Sequence, residues 1–291
     1  MSPSLLEIAL LSIIQGLAEP LPVSSTAHVI AAERLMRLNP SSPEMTFLLA
    51  MLHTGTVAAV IAFFWKSWRA RFFSGGAELR ESAWRVGSAT VATLAVFFIL
   101  QRVIRFLRPG SEIEDLFSNL PLIATALAAG GILILVAGLK VGGASEPDAG
   151  QTPGVGAIGA RRALWIGAVQ GIVLPFRGLS RSGATISVAM LLGIPRRLAE
   201  EFSFALVVII TPPVVAQELL RFYKARAAGP GAVHLASLVA PGLMGMAFSF
   251  VAGLLALRWL SGWLEKGRWH YFGIYCLAAS AGVVALSAAG Y

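Results

Sequence analysis

Two polar segments interrupt stretches of sequence that are otherwise oily, and each half of the chain carries one. The first is Gln15-Gly16-Leu17-Ala18-Glu19-Pro20-Leu21-Pro22-Val23-Ser24-Ser25-Thr26-Ala27-His28, inside the apolar stretch 4–37. The second runs from Gln170-Gly171 through Pro175-Phe176-Arg177-Gly178-Leu179-Ser180-Arg181-Ser182-Gly183-Ala184-Thr185, inside the stretch 161–195. Pro20 and Pro22 in one, and Pro175 with Gly178 in the other, break helical hydrogen bonding. The pieces on either side are about 10–16 residues long, short of the ~20 that cross a bilayer and suited to re-entrant helical hairpins. Ionisable groups at membrane depth are costly, and irregular backbone there survives only when buried in protein or lining a wet cavity. Finding the feature twice predicts one site built from two repeats.

A membrane setting follows from the rest of the chain. Charged residues make up 13% of it, against about 25% in soluble domains. Mean hydropathy is +0.75. Six further apolar stretches, near 44–65, 84–106, 119–139, 199–222, 236–258 and 268–290, are long enough to span. The expected architecture is an all-α integral membrane protein forming one membrane domain over 1–291. Repeat one covers about 4–106 and a connecting span covers 119–139. A Gly- and Pro-rich linker occupies 140–160, followed by repeat two over 161–258 and a final span at 268–290. The repeat extends beyond the polar segments, because Glu44-Met45-Thr46-Phe47 is matched by Glu201-Phe202-Ser203-Phe204. The offset is 155 residues between Gln15 and Gln170 and 157 between Glu44 and Glu201. Three spans per half is an odd number, so the second half is inverted relative to the first.

Loops at 66–85, 140–162, 195–198 and 258–268 share one face, which carries thirteen lysines and arginines against eight on the other. The positive-inside rule puts the richer face in the cytoplasm and both termini outside. The basic residues, dispersed among loops, suit a protein beside anionic headgroups and predict no nucleic-acid partner. A single cysteine, Cys276, excludes an internal disulfide and a cysteine-based zinc site, and packing is its expected role. The first residues lack a basic region and a cleavage site, which predicts no removable signal peptide. Trp65, Trp68, Trp84, Trp259, Trp263 and Trp269 fall at span ends, as in aromatic belts. His234 and His270 read as interfacial. His53 could line the cavity. Glu44 and Glu201 could pair with hairpin backbone.

The second polar segment places glycines around an arginine and three hydroxyls just before an apolar helix. Backbone N–H groups at a helix start attract anions, and Arg181 adds a donor fork suited to phosphate oxygens. Ser180, Ser182 and Thr185 can donate further bonds, with Gly178 and Gly183 letting backbone approach. The competing account, a Gly/Ser helix-packing patch, leaves Arg181 unexplained. Arg177 either binds the same anion or pairs with a carboxylate. In the first segment, Glu19 lies one helical turn after Gln15, so a carboxylate and an amide share a face. Together they can hold a divalent cation, or Glu19 can serve as partner to Arg181 or Arg177. Ser25 and His28 are three apart and adjoin on a helix starting near Ser24, the minimum for an activated nucleophile. His28 could instead attack phosphorus itself or act as an acid. Ser24 or Ser25 could simply cap the helix.

Gln15-Gly16-x-x-Glu19-x-Leu21-Pro22-Val23-Ser24-Ser25-Thr26-x-His28, paired with Gly178-x-Ser180-Arg181-Ser182-Gly183-Ala184-Thr185, resembles the undecaprenyl-diphosphate phosphatase family, also called the bacitracin-resistance protein family. The resemblance covers essentially the whole chain. It implies an enzyme of the bacterial inner membrane that hydrolyses undecaprenyl diphosphate to undecaprenyl phosphate and inorganic phosphate, recycling the cell-wall lipid carrier. It also implies a divalent cation (Mg2+ or Ca2+) on Glu19 and Gln15 and a site open to the periplasmic face. The catalytic set implied is Glu19, Ser25, His28 and Arg181. The phosphate-binding set, joining the residues matched to the family with those read from the sequence itself, Arg177 among the latter, is Ser24, Thr26, Arg177, Gly178, Ser180, Ser182, Gly183 and Thr185. Partners expected are the lipid substrate, membrane lipid and a second copy in a homodimer. Two departures stand out: Gln15 replaces a glutamate common in the family, and Arg177-Gly178 stands where many members carry Pro-Gly. A transporter or flippase of a lipid phosphate, using the same site, is the alternative reading. The other membrane phosphatase superfamily is disfavoured, because no histidine follows Arg181 before His234.

Overall fold

A computed structural model of the chain describes residues 3–39, 42–107, 119–141, 154–228 and 235–290. Most of the expected linker, and His234, lie outside the described residues. The described residues form ten α-helices. The first five are α1 (Leu5–Ala18), α2 (Ser25–Leu35), α3 (Pro43–Arg71), α4 (Gly76–Leu107) and α5 (Leu120–Val141). A 3-10 turn at Val155–Ile158 leads into α6 (Ala160–Val173), α7 (Arg181–Leu191), α8 (Arg196–Ala228), α9 (Leu235–Glu265) and α10 (His270–Ala288). Helix lengths repeat in order: 14, 11, 29, 32 and 22 residues, then 14, 11, 33, 31 and 19. Local chemistry marks several starts. Ser4 and Glu7 form a reciprocal capping box on α1, and Ser42 caps α3 ahead of Pro43.

All six expected spans are helices long and apolar enough to cross a membrane. They outrun the hydropathy peaks. For example, α3 continues through Lys66, Arg69 and Arg71, and α4 starts at Gly76, ahead of the apolar stretch from 84. Charged and aromatic residues there carry the helix beyond the oily zone, so hydropathy marks the lipid-facing length and not the helix end.

Corresponding helices of the two halves run in opposite directions. Along the α3–α8 contact, Phe47 meets Phe222 at 5.2 Å between ring centres and Phe64 meets Phe204 at 5.3 Å. Along α5–α10, the Ser280 hydroxyl donates to the Ala124 carbonyl at 2.7 Å, Gly131 faces Gly273 and Cys276, and Gly138 faces His270. The first helix of each half packs on the fourth of the other: Gly16 of α1 on Ser249 and Ala252 of α9, and Gly167 of α6 on Ala89 of α4. A methyl group on Gly167 would sit 2.1 Å from the Ala89 carbonyl oxygen, so only glycine admits this approach. Interdigitation of this kind is what an inverted repeat requires.

The arginine-rich loops gather at one end. Glu201 there is 1% exposed and takes Arg71 at 3.2 Å, Arg197 at 3.6 Å and the Ser67 hydroxyl at 2.5 Å. Arg196 donates to the carbonyls of Val141 and Glu265. Glu201 therefore anchors the arginine-rich helix ends, where hairpin backbone was the expected partner. The tryptophans divide. Trp65, Trp84 and Trp259 are exposed, as belt residues should be, while Trp68 and Trp269 are buried. Their indole N–H groups explain the burial: Trp68 donates to the Glu201 carbonyl and Trp269 to the Ser187 hydroxyl. Each is an aromatic core residue with a satisfied donor.

Candidate functional site

Each half contributes a short helix pair with a broken connection: α1 with α2, and α6 with α7. The connections touch. The Ser182 hydroxyl donates to the Leu21 carbonyl at 3.3 Å, Gly183 packs on Pro22, and Cys276 Sγ donates to the Pro22 carbonyl at 3.2 Å. Two residues there hold left-handed backbone: Ser24 at φ 64° and Ser180 at φ 57°. They occupy equivalent positions, immediately before α2 and α7. Strain of this kind costs about 1–3 kcal/mol per residue and clusters at functional sites.

Glu19 ends α1 and is the hub. Its Oε1 accepts from Arg181 at 2.6 Å, and its Oε2 accepts from the Ser25 hydroxyl and from Gln15 Nε2 at 3.1 Å. Gln15 Nε2 also lies 3.0 Å from His53 Nδ1, and His53 Nδ1 lies 3.9 Å from Glu19 Oε1. The carboxylate thus gathers a hydroxyl from α2, an amide from α1, a ring from α3 and a guanidinium from α7. Arg177 stands within electrostatic reach of His53 and of Glu33, a buried carboxylate on α2.

Ser25 and His28 share a helix face but do not pair. Ser25 bonds Glu19. His28 Nδ1 lies 2.9 Å from the Ser24 carbonyl, and its Nε2 lies 2.7 Å from the Tyr275 hydroxyl on α10. The two rings lie 5.6 Å apart and 12° from parallel. The start of α2 receives no side-chain cap from Ser24, and Ser25 spends its hydroxyl on Glu19. Backbone N–H groups at that start remain for another acceptor.

The second segment is differently committed. Ser180 caps α7 by accepting from Gly183 N–H at 3.2 Å. Thr185 is fully buried, bonding the Arg181 carbonyl at 2.8 Å and the Ser203 hydroxyl. Gly178, at φ 125°, and Gly183 lie against α5, next to Ile123 and Ile134. The expected phosphate contacts of Ser180, Ser182 and Thr185 therefore have protein partners, for a packing reason: α7 is buried among α5, α6 and α8. His53, read from the sequence as able to line the cavity, stands beside Glu19 and Gln15, and Ser203 and Tyr275 join the cluster without having been singled out as site residues. Ser203 had a signal in the repeated Glu-x-hydroxyl-Phe. Tyr275, one of two tyrosines in the last span, had none.

The donor set does not fit a divalent cation held by protein alone. Both Glu19 oxygens face N–H and O–H donors, one of them already cationic. Among the described residues, no group of three or more His, Cys, Asp and Glu side chains converges.

A groove of about 230 Å³ opens beside His28, lined by Ala27, Ala31 and Leu35 of α2, Leu127 of α5, and Ala279 and Leu286 of α10. Apart from His28 its wall is apolar. It runs from His28 toward the end of the molecule remote from the Glu201 cluster.

An interdigitated helical membrane protein that joins a guanidinium, a carboxylate, a serine and a histidine where its two halves meet is built to handle a phosphate at a membrane. Residues 8–282 match the model of the family described as bacitracin resistance protein BacA, and the chain belongs to that family. It is 53% identical to a protein of Acinetobacter baylyi named undecaprenyl-diphosphatase 2, over 97% of this chain and 98% of that one. It is 34% identical to an undecaprenyl-diphosphatase of Desulfosudis oleivorans over 91% of this chain and 92% of that one. Undecaprenyl-diphosphatase 1 of Acinetobacter baylyi is 32% identical over 93% and 91% respectively.

Proposed function

We propose that the chain is an undecaprenyl-diphosphatase, an integral membrane hydrolase that releases inorganic phosphate from undecaprenyl diphosphate. The names of its relatives support this reading. The observation that carries it is the shared carboxylate: Glu19 holds the Ser25 hydroxyl on one oxygen and the Arg181 guanidinium on the other.

The terminal phosphoryl group sits against the uncapped start of α2, where backbone N–H groups and the helix dipole favour an anion. A guanidinium carries five N–H donors, so Arg181 can turn toward phosphoryl oxygens while its neighbours keep Glu19 in place. Drawing Arg181 away leaves Glu19 more basic, ready for the Ser25 proton. Ser25 Oγ then attacks phosphorus, its proton passes to Glu19, and the bond from phosphorus to the bridging oxygen breaks. Undecaprenyl phosphate departs with that electron pair. Water next attacks the seryl phosphate, losing its proton to His28 Nε2, while the Ser25 oxygen leaves and recovers a proton from Glu19. Positioning and charge stabilisation dominate such transfers. The divalent cation implied by the family resemblance comes in this reading as counter-ion of the diphosphate.

The isoprenyl tail lies along the apolar groove, which begins at His28. We place the protein in the bacterial inner membrane, the arginine-rich end in the cytoplasm, the groove mouth toward the periplasm and the two helix pairs as re-entrant hairpins. The basic-residue imbalance and the short lengths of α1, α2, α6 and α7 support this.

The test is His28→Asn with substrate labelled in the terminal phosphate. Steady-state release should fall about 10²-fold or more, with label accumulating on Ser25 as mapped by mass spectrometry. Label on His28 in the unmutated enzyme would overturn the assignment of the nucleophile.

A further inference from the structure

His28 has two ring nitrogens, and the fold commits both. The Ser24 carbonyl, 2.9 Å from Nδ1, can only accept, so Nδ1 carries the proton. In the neutral ring Nε2 is then a bare lone pair, and the Tyr275 phenol, 2.7 Å away, donates to it. The phenol ring also lies nearly parallel to the imidazole, at 12° and 5.6 Å.

Tyr275 comes from the far half of the molecule, and its helix is held in register at that level. The neighbouring Cys276 donates to the Pro22 carbonyl in the connection ahead of α2. Ser280, just over one turn on, donates to the Ala124 carbonyl. Two residues before Tyr275 the α5–α10 seam is closed by Gly131 and Gly273, where a methyl group on Gly273 would come 2.7 Å from backbone. α10 therefore cannot slide past the hairpin, and the phenol arrives at a fixed height. The groove starts where the pair ends, with Ala31 of α2 and Ala279 of α10 each about one turn beyond.

We propose that Tyr275 is a positioning residue for His28: its phenol fixes the ring plane and aims the Nε2 lone pair toward the inner end of the groove. In the resting site the phenol also occupies the hydrogen-bonding position at Nε2. Once the seryl phosphate has formed, the attacking water takes the phenol's place at that nitrogen. The proposal rests on the reading of His28 as base for the second step, but its structural core can be tested without catalysis.

In the unmutated protein with 15N-labelled histidine at alkaline pH, the His28 resonances should report the tautomer protonated at Nδ1 and accepting at Nε2. In Tyr275→Phe, which keeps the ring and loses the donor, the Nε2 resonance should move. Diethyl pyrocarbonate should also carbethoxylate His28 faster. With labelled substrate the same variant should lower kcat about tenfold with KM nearly unchanged, the size expected for one lost aligning hydrogen bond, and should accumulate label on Ser25. A His28 ring protonated at Nε2 in the unmutated protein overturns the proposal even if every variant misfolds. So does a Tyr275→Phe protein whose Nε2 resonance and carbethoxylation rate match the unmutated one. If the resonance moves while no label appears on Ser25 in any variant, positioning stands and the catalytic reading of His28 fails.

Discussion

The two polar hairpins occupy matching places and do different work. Gln15 and Gln170 align, as do Pro20 and Pro175, and the two left-handed serines 24 and 180. At the remaining positions they part. Glu19 corresponds to Leu174, Ser25 to Arg181 and His28 to Ala184. Gln15 reaches Glu19 and His53, whereas Gln170 is fully buried beside Thr93. The first hairpin leaves its second helix uncapped, and the second caps its own with Ser180 and buries it. Duplication thus provides the framework of two broken helix pairs meeting tip to tip, and divergence provides the charge. In the mechanism proposed above, the first hairpin carries the reacting groups and the second is the mount for a single guanidinium.

The sharpest way to break this contrast is to remove what the second hairpin presents. Arg181→Ala should lower kcat/KM about 10³-fold, measured as phosphate release from the lipid in detergent, because it deletes the cation that faces developing charge. A fall of less than tenfold would mean that the second hairpin is only scaffold. The next largest effect tests whether the halves are interchangeable. The double variant Glu19→Leu with Leu174→Glu moves the carboxylate to the equivalent place. It should be as inactive as Glu19→Leu alone, about 10²-fold down or more, since Ser25 and Arg181 would no longer share one acceptor. Recovery of activity would show that the site is symmetric after all. The smallest effect sharpens the picture of the second hairpin as mount. Thr185→Val strands the Ser203 hydroxyl and should cost about 1 kcal/mol of stability, read as a lowered unfolding temperature in detergent, with KM unchanged.

Much of the framework was legible in the sequence for a physical reason. Hydropathy over ~20 residues is a strong signal, and prolines inside apolar runs are hard to read otherwise. All six spans and both broken segments followed. The hub was partly legible: Glu19, Ser25 and Arg181 were each visible as costly groups at depth. Their convergence on one carboxylate was not, since Ser25 lay equally close in sequence to His28 and its partner was decided by tertiary packing. Thr185 looked like an anion contact because a hydroxyl near an arginine in a glycine-rich run reads the same whether it faces a cavity or a neighbouring helix. In the structure Thr185 is buried against α8 and bonds Ser203. Tyr275 was invisible, because a tyrosine near the end of an apolar span reads as an interfacial residue, as Tyr271 beside it does.

The contact between Glu19 and Arg181 joins residues 162 positions apart in the chain. During synthesis the carboxylate is made first and waits for its counter-charge until more than half of the molecule has followed. A chain halted after α5 would leave Glu19 in an oily setting with no guanidinium to answer it, and one lacking the first hairpin would strand Arg181 in the same way. Either half alone would therefore leave one charge of the site without the partner that the other half supplies.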